Sequence, residues 1–345
     1  MSITSDRSIL VTGGTGSFGQ AMVYTLLHLK GADRPCKVIV LSRDEFKQSE
    51  MKARLPEDDR LRFFLGDVRD LGRLRQAFQG VDLVIHAAAI KQVPAAEYNP
   101  TEAVATNVKG TENVAKAAIE ARVDRVLMLS TDKAVSPVNL YGATKLTAER
   151  ILIAANAIAG AEGTRFSVAR YGNVVGSRGS VVEVFRGLDT KGGPVPITSK
   201  EMTRFWVTLR QAVRFVLVCL DMMIGGEVFV PKLRSARIVD LAEAMLPGRL
   251  LHEVGIRRGE KLHETMISSE ESGRTLDYGS GYVIIPDFDW RSSDRQLSLG
   301  LPAYTAERSL ASAQLVPAGF SYHSNAGLAP HLTVGEIREL LKEVP

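Results

Sequence analysis

The chain has 345 residues, 45% of them hydrophobic and 24% charged, with a formal net charge of +4. That balance suits one large globular domain or two closely joined ones with an ample core, and excludes a disordered or fibrous chain. The charge is slight for the size and no lysine–arginine block occurs, so nucleic-acid binding has no support, while a mildly basic cleft for phosphates remains open. Cys36 and Cys219 are the only cysteines, and neither they nor the six scattered histidines show metal-ligand spacing, so no metal is expected. No apolar run approaches the ~18–20 residues that span a bilayer. The opening MSITSDRS lacks the apolar segment of a secretory signal. The expectation is a cytoplasmic protein with no membrane partner.

Ser8-Ile-Leu-Val-Thr12 predicts a buried parallel strand. It runs into Gly13-Gly-Thr15-Gly16-Ser17-Phe18-Gly19 and then a helical pattern to about Lys30. Glycines here permit a tight turn and the close backbone approach that a pyrophosphate needs, and the helix amino terminus offers free N–H groups. The spacing is Gly-x-x-Gly-x-x-Gly, one residue away from the commonest dinucleotide fingerprint, and a purely structural turn is the alternative.

Lys37 to Leu41 predicts the next strand, which ends in Ser42-Arg43-Asp44-Glu45. An acidic residue at this point selects NAD, whereas an arginine accommodates a 2′-phosphate and can stack on adenine. Arg43, with Lys47 behind it, favours NADP. The competing reading is a solvated charge cluster in which Asp44 and Glu45 neutralise Arg43. Leu61 to Leu65 forms a third strand before Gly66-Asp67-Val68, where Asp67 is placed to hold the adenine amino group and Asp70 to cap a helix. A fourth strand, Asp82 to His86, opens onto Ala87-Ala88-Ala89, small enough for a cofactor to lie against the backbone. His86 reads as structural. One long helix is expected from about Pro100 to Ala121, carrying Asn107 either as a satisfied core amide or as a positioning group.

Arg125 to Leu129 predicts a fifth strand, followed by Ser130-Thr131-Asp132-Lys133. Tyr141 and Lys145 stand four apart, on one face of a helix. An ammonium beside a phenol lowers the tyrosine pKa, which makes Tyr141 a candidate base for a substrate hydroxyl. Strands alternating with helices after a glycine loop predict an α/β fold, a Rossmann-type doubly wound parallel sheet. Its ligands sit beyond the strand carboxyl ends, where the glycine loop, Arg43, Asp67, Ala87 and Thr131 all fall.

Farther on, Arg165 to Tyr171 is strand-like, Gly172 to Ser180 is a glycine-rich loop, and Gly192-Gly-Pro-Val-Pro196 breaks any helix. Gly226 to Val230 returns the chain to the sheet. A cofactor domain is therefore expected over 8–172 plus about 205–231. A smaller interleaved substrate-binding domain takes 173–204 plus 232–290, and 291–345 forms a capping or oligomer-contact extension. Ile238 to Met245 and Val334 to Val344 read as helices.

On Gly13–Gly19, His86–Ala89, Asn107 and Tyr141 with Lys145, the chain resembles the extended short-chain dehydrogenases/reductases. Thr131-Asp132-Lys133 and Asn139–Lys145 are similar to the inverting UDP-N-acetylglucosamine 4,6-dehydratases, which start pseudaminic acid synthesis. The likeness continues through Ala88–Pro94, Ala96–Pro100, Arg170–Ser180, Met202–Trp206 and Gly259–Glu264. Retaining relatives tend to carry methionine at the Tyr141 position. Arg258 departs from the proline usual in the family.

The resemblance implies a tightly bound NADP regenerated at each turnover, oxidation at carbon 4, loss of water across carbons 5 and 6, and hydride return to carbon 6. It implies Tyr141 as the first base, Lys145 as its partner and nicotinamide-ribose ligand, Asp132 as acid, Lys133 as carbon-5 base, and Thr131 at the carbon-4 oxygen. Lys133 and Asp132 would both have to be pushed toward their neutral forms. The cofactor set is then Gly13, Thr15, Gly16, Ser17, Phe18, Gly19, Ser42, Arg43, Lys47, Asp67, Val68, Ala87, Ala88, Ala89, Asn107, Tyr141 and Lys145. For UDP-N-acetylglucosamine the candidates are Lys91, Asn173, Arg178, Thr198, Arg204, Arg257, Arg258 and Glu260, with Arg204, Arg257 and Arg258 on the two phosphates and Arg178 in the substrate loop or an oligomer contact. A dimer-based homo-oligomer, with a hexamer as its larger form, also follows from the likeness. A retaining 4,6-dehydratase or an epimerase on a UDP-HexNAc, or a silent NADP-binding redox sensor, are the alternatives.

Overall fold

The computed structural model describes residues 3–177, 179–189, 192–286, 310, 312–325 and 327–343. Arg178 lies outside them. Five strands of apolar, mostly buried residues form the first half: β1 (Ser8–Thr12), β2 (Lys37–Ser42), β3 (Leu61–Leu65), β4 (Leu83–His86) and β5 (Arg125–Thr131). Between them run α1 (Ser17–His28), α2 (Glu45–Arg54), α3 (Leu71–Ala77), α4 (Val93–Tyr98), α5 (Pro100–Val104) and α6 (Gly110–Ala121). Asp44 and Asp70 cap α2 and α3 by accepting from the Lys47 and Arg73 amides, as the spacing of Asp70 before Leu71 predicts. The helix expected as one piece from Pro100 is interrupted by a π turn at Ala105–Lys109. That wider turn carries Asn107.

After the long helix α7 (Leu140–Ala159) come β6 (Arg165–Tyr171), β7 (Asn173–Val174), α8 (Val181–Asp189), β8 (Val195–Ile197) and β9 (Thr203–Val207). Then follow α9 (Leu209–Met222), β10 (Val228–Pro231), β11 (Arg234–Arg237), α10 (Ile238–Met245) and β12 (Leu251–Glu253). The chain finishes with β13 (Thr265–Ile267), β14 (Thr275–Asp277), β15 (Gly281–Ile284), β16 (Gln314–Leu315), β17 (Tyr322–His323) and α11 (Val334–Lys342).

The main sheet has ten strands in the order β16-β14-β15-β10-β6-β5-β4-β1-β2-β3. The run from β3 to β10 is parallel, and β15, β14 and β16 add antiparallel strands at the far edge. Apolar residues of α3, α6 and α7 (Leu74, Val114, Leu152) cover one face, and those of α1 and α9 (Met22, Leu26, Val216, Leu220) cover the other. This is the predicted Rossmann-type sheet. The strand order reverses between β1 and β4, so the cleft at the carboxyl ends of β1, β4 and β5 is the place where such sheets hold ligands.

A second core gathers Val182 and Phe185 of α8, Val195 and Ile197 of β8, Trp206, and Leu241 of α10. Two intervals differ from the expected division. Phe205–Val207 pairs in a small sheet with β7 and β11, and β14–β15, expected in the substrate unit, complete the main sheet. The exposed edge of β10 explains the second difference, since β15 supplies its missing hydrogen-bond partners. From the 291–345 interval, β17 pairs with β13 and α11 lies against α10.

Candidate active site

One cleft of about 990 Å³ runs from the glycine loop to β8 and the 257–261 loop. At its floor Gly13 has φ +64°, and a Cβ there would stand 2.8 Å from the backbone of Ala88. Only glycine lets this loop lie against β4's exit. Gly16 caps α1 with no side-chain cap, and Gly16 to Gly19 line the cleft, so the first-turn N–H groups and the positive helix end face it. Thr15, Ser17, Phe18, Ser42, Arg43, Lys47, Asp67, Val68, Ala87, Ala88 and Ala89 line the same wall. These residues fit a dinucleotide: an uncapped helix end for a diphosphate, and small residues where it must pass close to the backbone.

Charges along this wall are partly committed. Both oxygens of Asp67 already accept from Arg69, and Arg43 approaches Asp67 at 3.9 Å with its side chain 59% exposed. Lys47 pairs with Asp44 at 3.0 Å. His86 bridges Thr12 (2.7 Å) and Thr111 (3.2 Å), and burial lowers its pKa to about 3, so it is a neutral structural group. Asn107 exchanges hydrogen bonds with the backbone of Ile90 and donates to Thr144. It therefore tethers the Ala89–Lys91 turn to α7, a positioning role.

The chemical groups converge at the end of β5. Gly142 makes this possible, because a Cβ there would meet the Lys133 carbonyl oxygen at 2.1 Å. The first turn of α7, capped by Asn139, thus lies directly on the Asp132–Ala134 turn. Asp132 is fully buried, with one oxygen accepting from Thr131 (2.9 Å) and Lys133 Nζ (3.0 Å) and the other, Oδ2, without a partner among the described residues. Burial raises its pKa against the pull of Lys133, the direction an acid needs.

Two electrostatic expectations are corrected. Lys145 points its ammonium at the Leu129 carbonyl (2.6 Å), and burial lowers its pKa to about 8. Tyr141 is pushed up to about 12 by burial, offset in part by Lys133 and by a hydrogen bond with Thr131, so Lys133 is the ammonium that acts on the phenol. Lys133 itself is not driven neutral. Burial would lower its pKa, but the Asp132 and Glu264 carboxylates outweigh that and raise it. Glu264 Oε1 stands 3.3 Å from Lys133 Nζ. No single feature of the sequence marks this residue, which closes the Gly259–Glu264 stretch.

On the substrate side, Lys91, Asn173, Thr198, Arg204, Arg257, Arg258 and Glu260 all border the cleft. Arg204 differs from expectation: it donates to the Thr203, Lys261 and Leu262 carbonyls and its Nε lies 3.6 Å from Glu264. It braces the site and does not reach out for phosphates. Arg257 and Arg258 are exposed, and Arg257 lies 3.9 Å from Glu260. Asn173 Oδ1 and Trp206 Nε1 line the cleft buried and unpartnered among the described residues, as polar atoms awaiting a ligand would be. No described helix is long and apolar enough to cross a membrane.

A family model described as polysaccharide biosynthesis protein matches residues 9–286. A protein of Campylobacter jejuni subsp. jejuni serotype O:2 named UDP-N-acetylglucosamine 4,6-dehydratase (inverting) is 49% identical over 320 residues, 92% of each chain. Among solved structures, Pen from Bacillus thuringiensis aligns over 98% of both chains at 32% identity with a TM-score of 0.84. DesIV, a dTDP-glucose 4,6-dehydratase of Streptomyces venezuelae with NAD and TYD bound, covers 74% of this chain and 86% of its own at 26% identity and a TM-score of 0.66.

Proposed function

Because the chain belongs to the polysaccharide biosynthesis protein family, we propose that it is an inverting UDP-N-acetylglucosamine 4,6-dehydratase that uses NADP. The observation that carries this reading is the Asp132–Lys133 pair beside Tyr141, with Lys133 and Tyr141 lining one cleft together with a dinucleotide-type glycine loop. A plain dehydrogenase or epimerase needs the tyrosine and has no use for a buried acid paired with a lysine. The name of the Campylobacter relative supports both the donor and the stereochemical outcome.

When bound, the nicotinamide would take the hydride from carbon 4 and give it back to carbon 6, while carbon 5 takes up a solvent-derived proton on the opposite face. Gly13–Gly19 and the Ala87–Ala89 exit would hold the dinucleotide, with Arg43 and Lys47 on a 2′-phosphate. Tyr141 would take the carbon-4 hydroxyl proton as its phenolate, the form that the Lys133 ammonium and the Thr131 hydrogen bond favour against burial, with Thr131 also on the carbon-4 oxygen. The resulting ketone acidifies the carbon-5 hydrogen, Lys133 removes it, and Asp132, whose pKa burial raises against the pull of Lys133, delivers a proton to the departing carbon-6 hydroxyl. Arg257, Arg258 and Glu260, which border the cleft, would meet the UDP moiety. We assign the product to a pseudaminic acid-type route, the enzyme to the cytoplasm and its assembly to a dimer-based homo-oligomer, all on family likeness.

The test is to incubate the purified protein with UDP-N-acetylglucosamine and follow product mass and proton NMR in deuterated water. Loss of one water with inverted carbon 5 is expected. An unchanged mass with an altered sugar would instead indicate an epimerase, and a retained carbon-5 configuration the retaining dehydratase. For cofactor choice, Arg43→Ala should weaken NADP at least tenfold more than NAD in a titration; equal losses would remove the 2′-phosphate role.

A further inference from the structure

Lys133 can remove a proton from carbon 5 only as a neutral amine, yet its ammonium lies between two acidic groups, Asp132 Oδ1 at 3.0 Å and Glu264 Oε1 at 3.3 Å. Of the two, Asp132 is already assigned to carry a proton for the leaving hydroxyl, and a protonated Asp132 cannot accept another. Glu264 is the remaining acceptor in contact. It is 2% exposed, and its second oxygen, Oε2, is buried with no partner among the described residues, so it has an open place for a proton.

The surroundings hold Glu264 still. Its backbone N–H donates to Ser324 Oγ (2.9 Å), its carbonyl accepts from the Ser324 N–H (2.9 Å), and Ser324 Oγ also bonds Thr203 Oγ1 (2.6 Å). The next residues, β13, pair with β17. A segment near the end of the chain thereby clamps a carboxylate into a site built by β5 and α7. The charged groups facing it are Lys133 from the β5 exit, Arg204 from β9, and Lys261 from the preceding loop, with Asp132 beyond Lys133.

We propose that Glu264 is a positioning residue that works through Lys133, taking its proton so that Lys133 becomes the carbon-5 base. This rests on the reading of Lys133 as that base. The step balances internally: the Lys133 Nζ–H bond breaks, a Glu264 Oε1–H bond forms, and an ammonium–carboxylate pair becomes a neutral amine and a neutral acid. The trigger is the arrival of substrate, which displaces water from the cleft and removes the solvation that favours the ion pair. The amine then takes the carbon-5 proton. At the end of turnover Glu264 returns its proton to the solvent-accessible cleft through Lys133, whose side chain is 22% exposed.

The experiment compares wild type with Lys133→Ala, Glu264→Gln and Glu264→Asp on UDP-N-acetylglucosamine. Three readouts are taken: carbon-4 oxidation in a single turnover by near-ultraviolet absorbance, carbon-5 deuterium incorporation by NMR, and water loss by mass. Glu264→Gln keeps the shape and loses the acceptor. It should oxidise carbon 4 within about threefold of wild type, with KM little changed, and slow carbon-5 exchange and water loss by about 10²-fold, in the range of a lost acid–base contribution. Glu264→Asp should recover at least a tenth of the wild-type elimination rate. Elimination by Glu264→Gln at the wild-type rate, or equal loss of oxidation and elimination, would overturn the proposal, since a bracing role affects both steps together. Normal elimination by Lys133→Ala, or no water loss by wild type, would instead remove the underlying reading of the site.

Discussion

Tyr141 shows how a residue's neighbours, and not its spacing, set its chemistry. The four-residue interval to Lys145 pointed to an ammonium on the phenol, yet Lys145 bonds the Leu129 carbonyl and Lys133 acts on Tyr141. Tyr141→Phe should lower the rate of carbon-4 oxidation by about 10²–10⁴-fold with KM nearly unchanged, measured in single turnovers. A loss confined to KM would assign Tyr141 to binding alone. His86 carries a stability prediction. Its pKa falls from 6.5 in the unfolded chain to about 3 in the fold. Between those values the unfolded state holds the extra proton, so stability is full above 6.5 and is lost as pH falls toward 3, at up to about 1.4 kcal/mol per unit. Denaturant titrations of His86→Asn between pH 6.5 and 4 should show a shallower pH slope than wild type, and parallel slopes would count against it. Asp132 and Lys133 were legible as a pair from sequence. Their third partner, Glu264, was not, because 131 positions separate it from Lys133 and nothing local marks its burial.

Elements bring such residues together through close approach. The contact of α7 with the Asp132–Ala134 turn depends on Gly142, where any side chain would collide with a backbone oxygen. Gly142→Ala should cost about 3 kcal/mol or more in urea denaturation and displace Tyr141 from Thr131, with activity falling at least a hundredfold. Activity within twofold of wild type would mean that the helix can shift without consequence. The π turn at Ala105–Lys109 is a comparable device, placing Asn107 against Ile90 and Thr144. Apolar periodicity predicts a helix here because the pattern continues through the turn; the change from an i→i−4 to an i→i−5 hydrogen bond leaves no clear trace in it.

Across the molecule, Arg170 links the two halves of the chain. It pairs with Glu149 of α7 and with Glu271 of the Ser269–Arg274 turn, and donates to the Met266 carbonyl, all in a nearly solvent-free interior. Arg170→Leu strands two carboxylates and should destabilise the fold by about 3–5 kcal/mol, read as a lowered urea midpoint. A change under about 1 kcal/mol would show that water reaches these groups. The parallel sheet, its glycine loop and the residues at its strand ends were readable from sequence because each depends on local pattern: apolar runs for buried strands, glycine for tight turns, acidic caps for helix starts. What packing alone settled was how distant segments complete one another. Strands β14–β16 close the sheet edge left by β10, Arg204 turns inward to carbonyls, and Ser324 seats Glu264 beside Lys133. Burial and charge pairing depend on neighbours far along the chain, so the protonation of Lys133 follows from the folded arrangement and not from its place in Thr131-Asp132-Lys133.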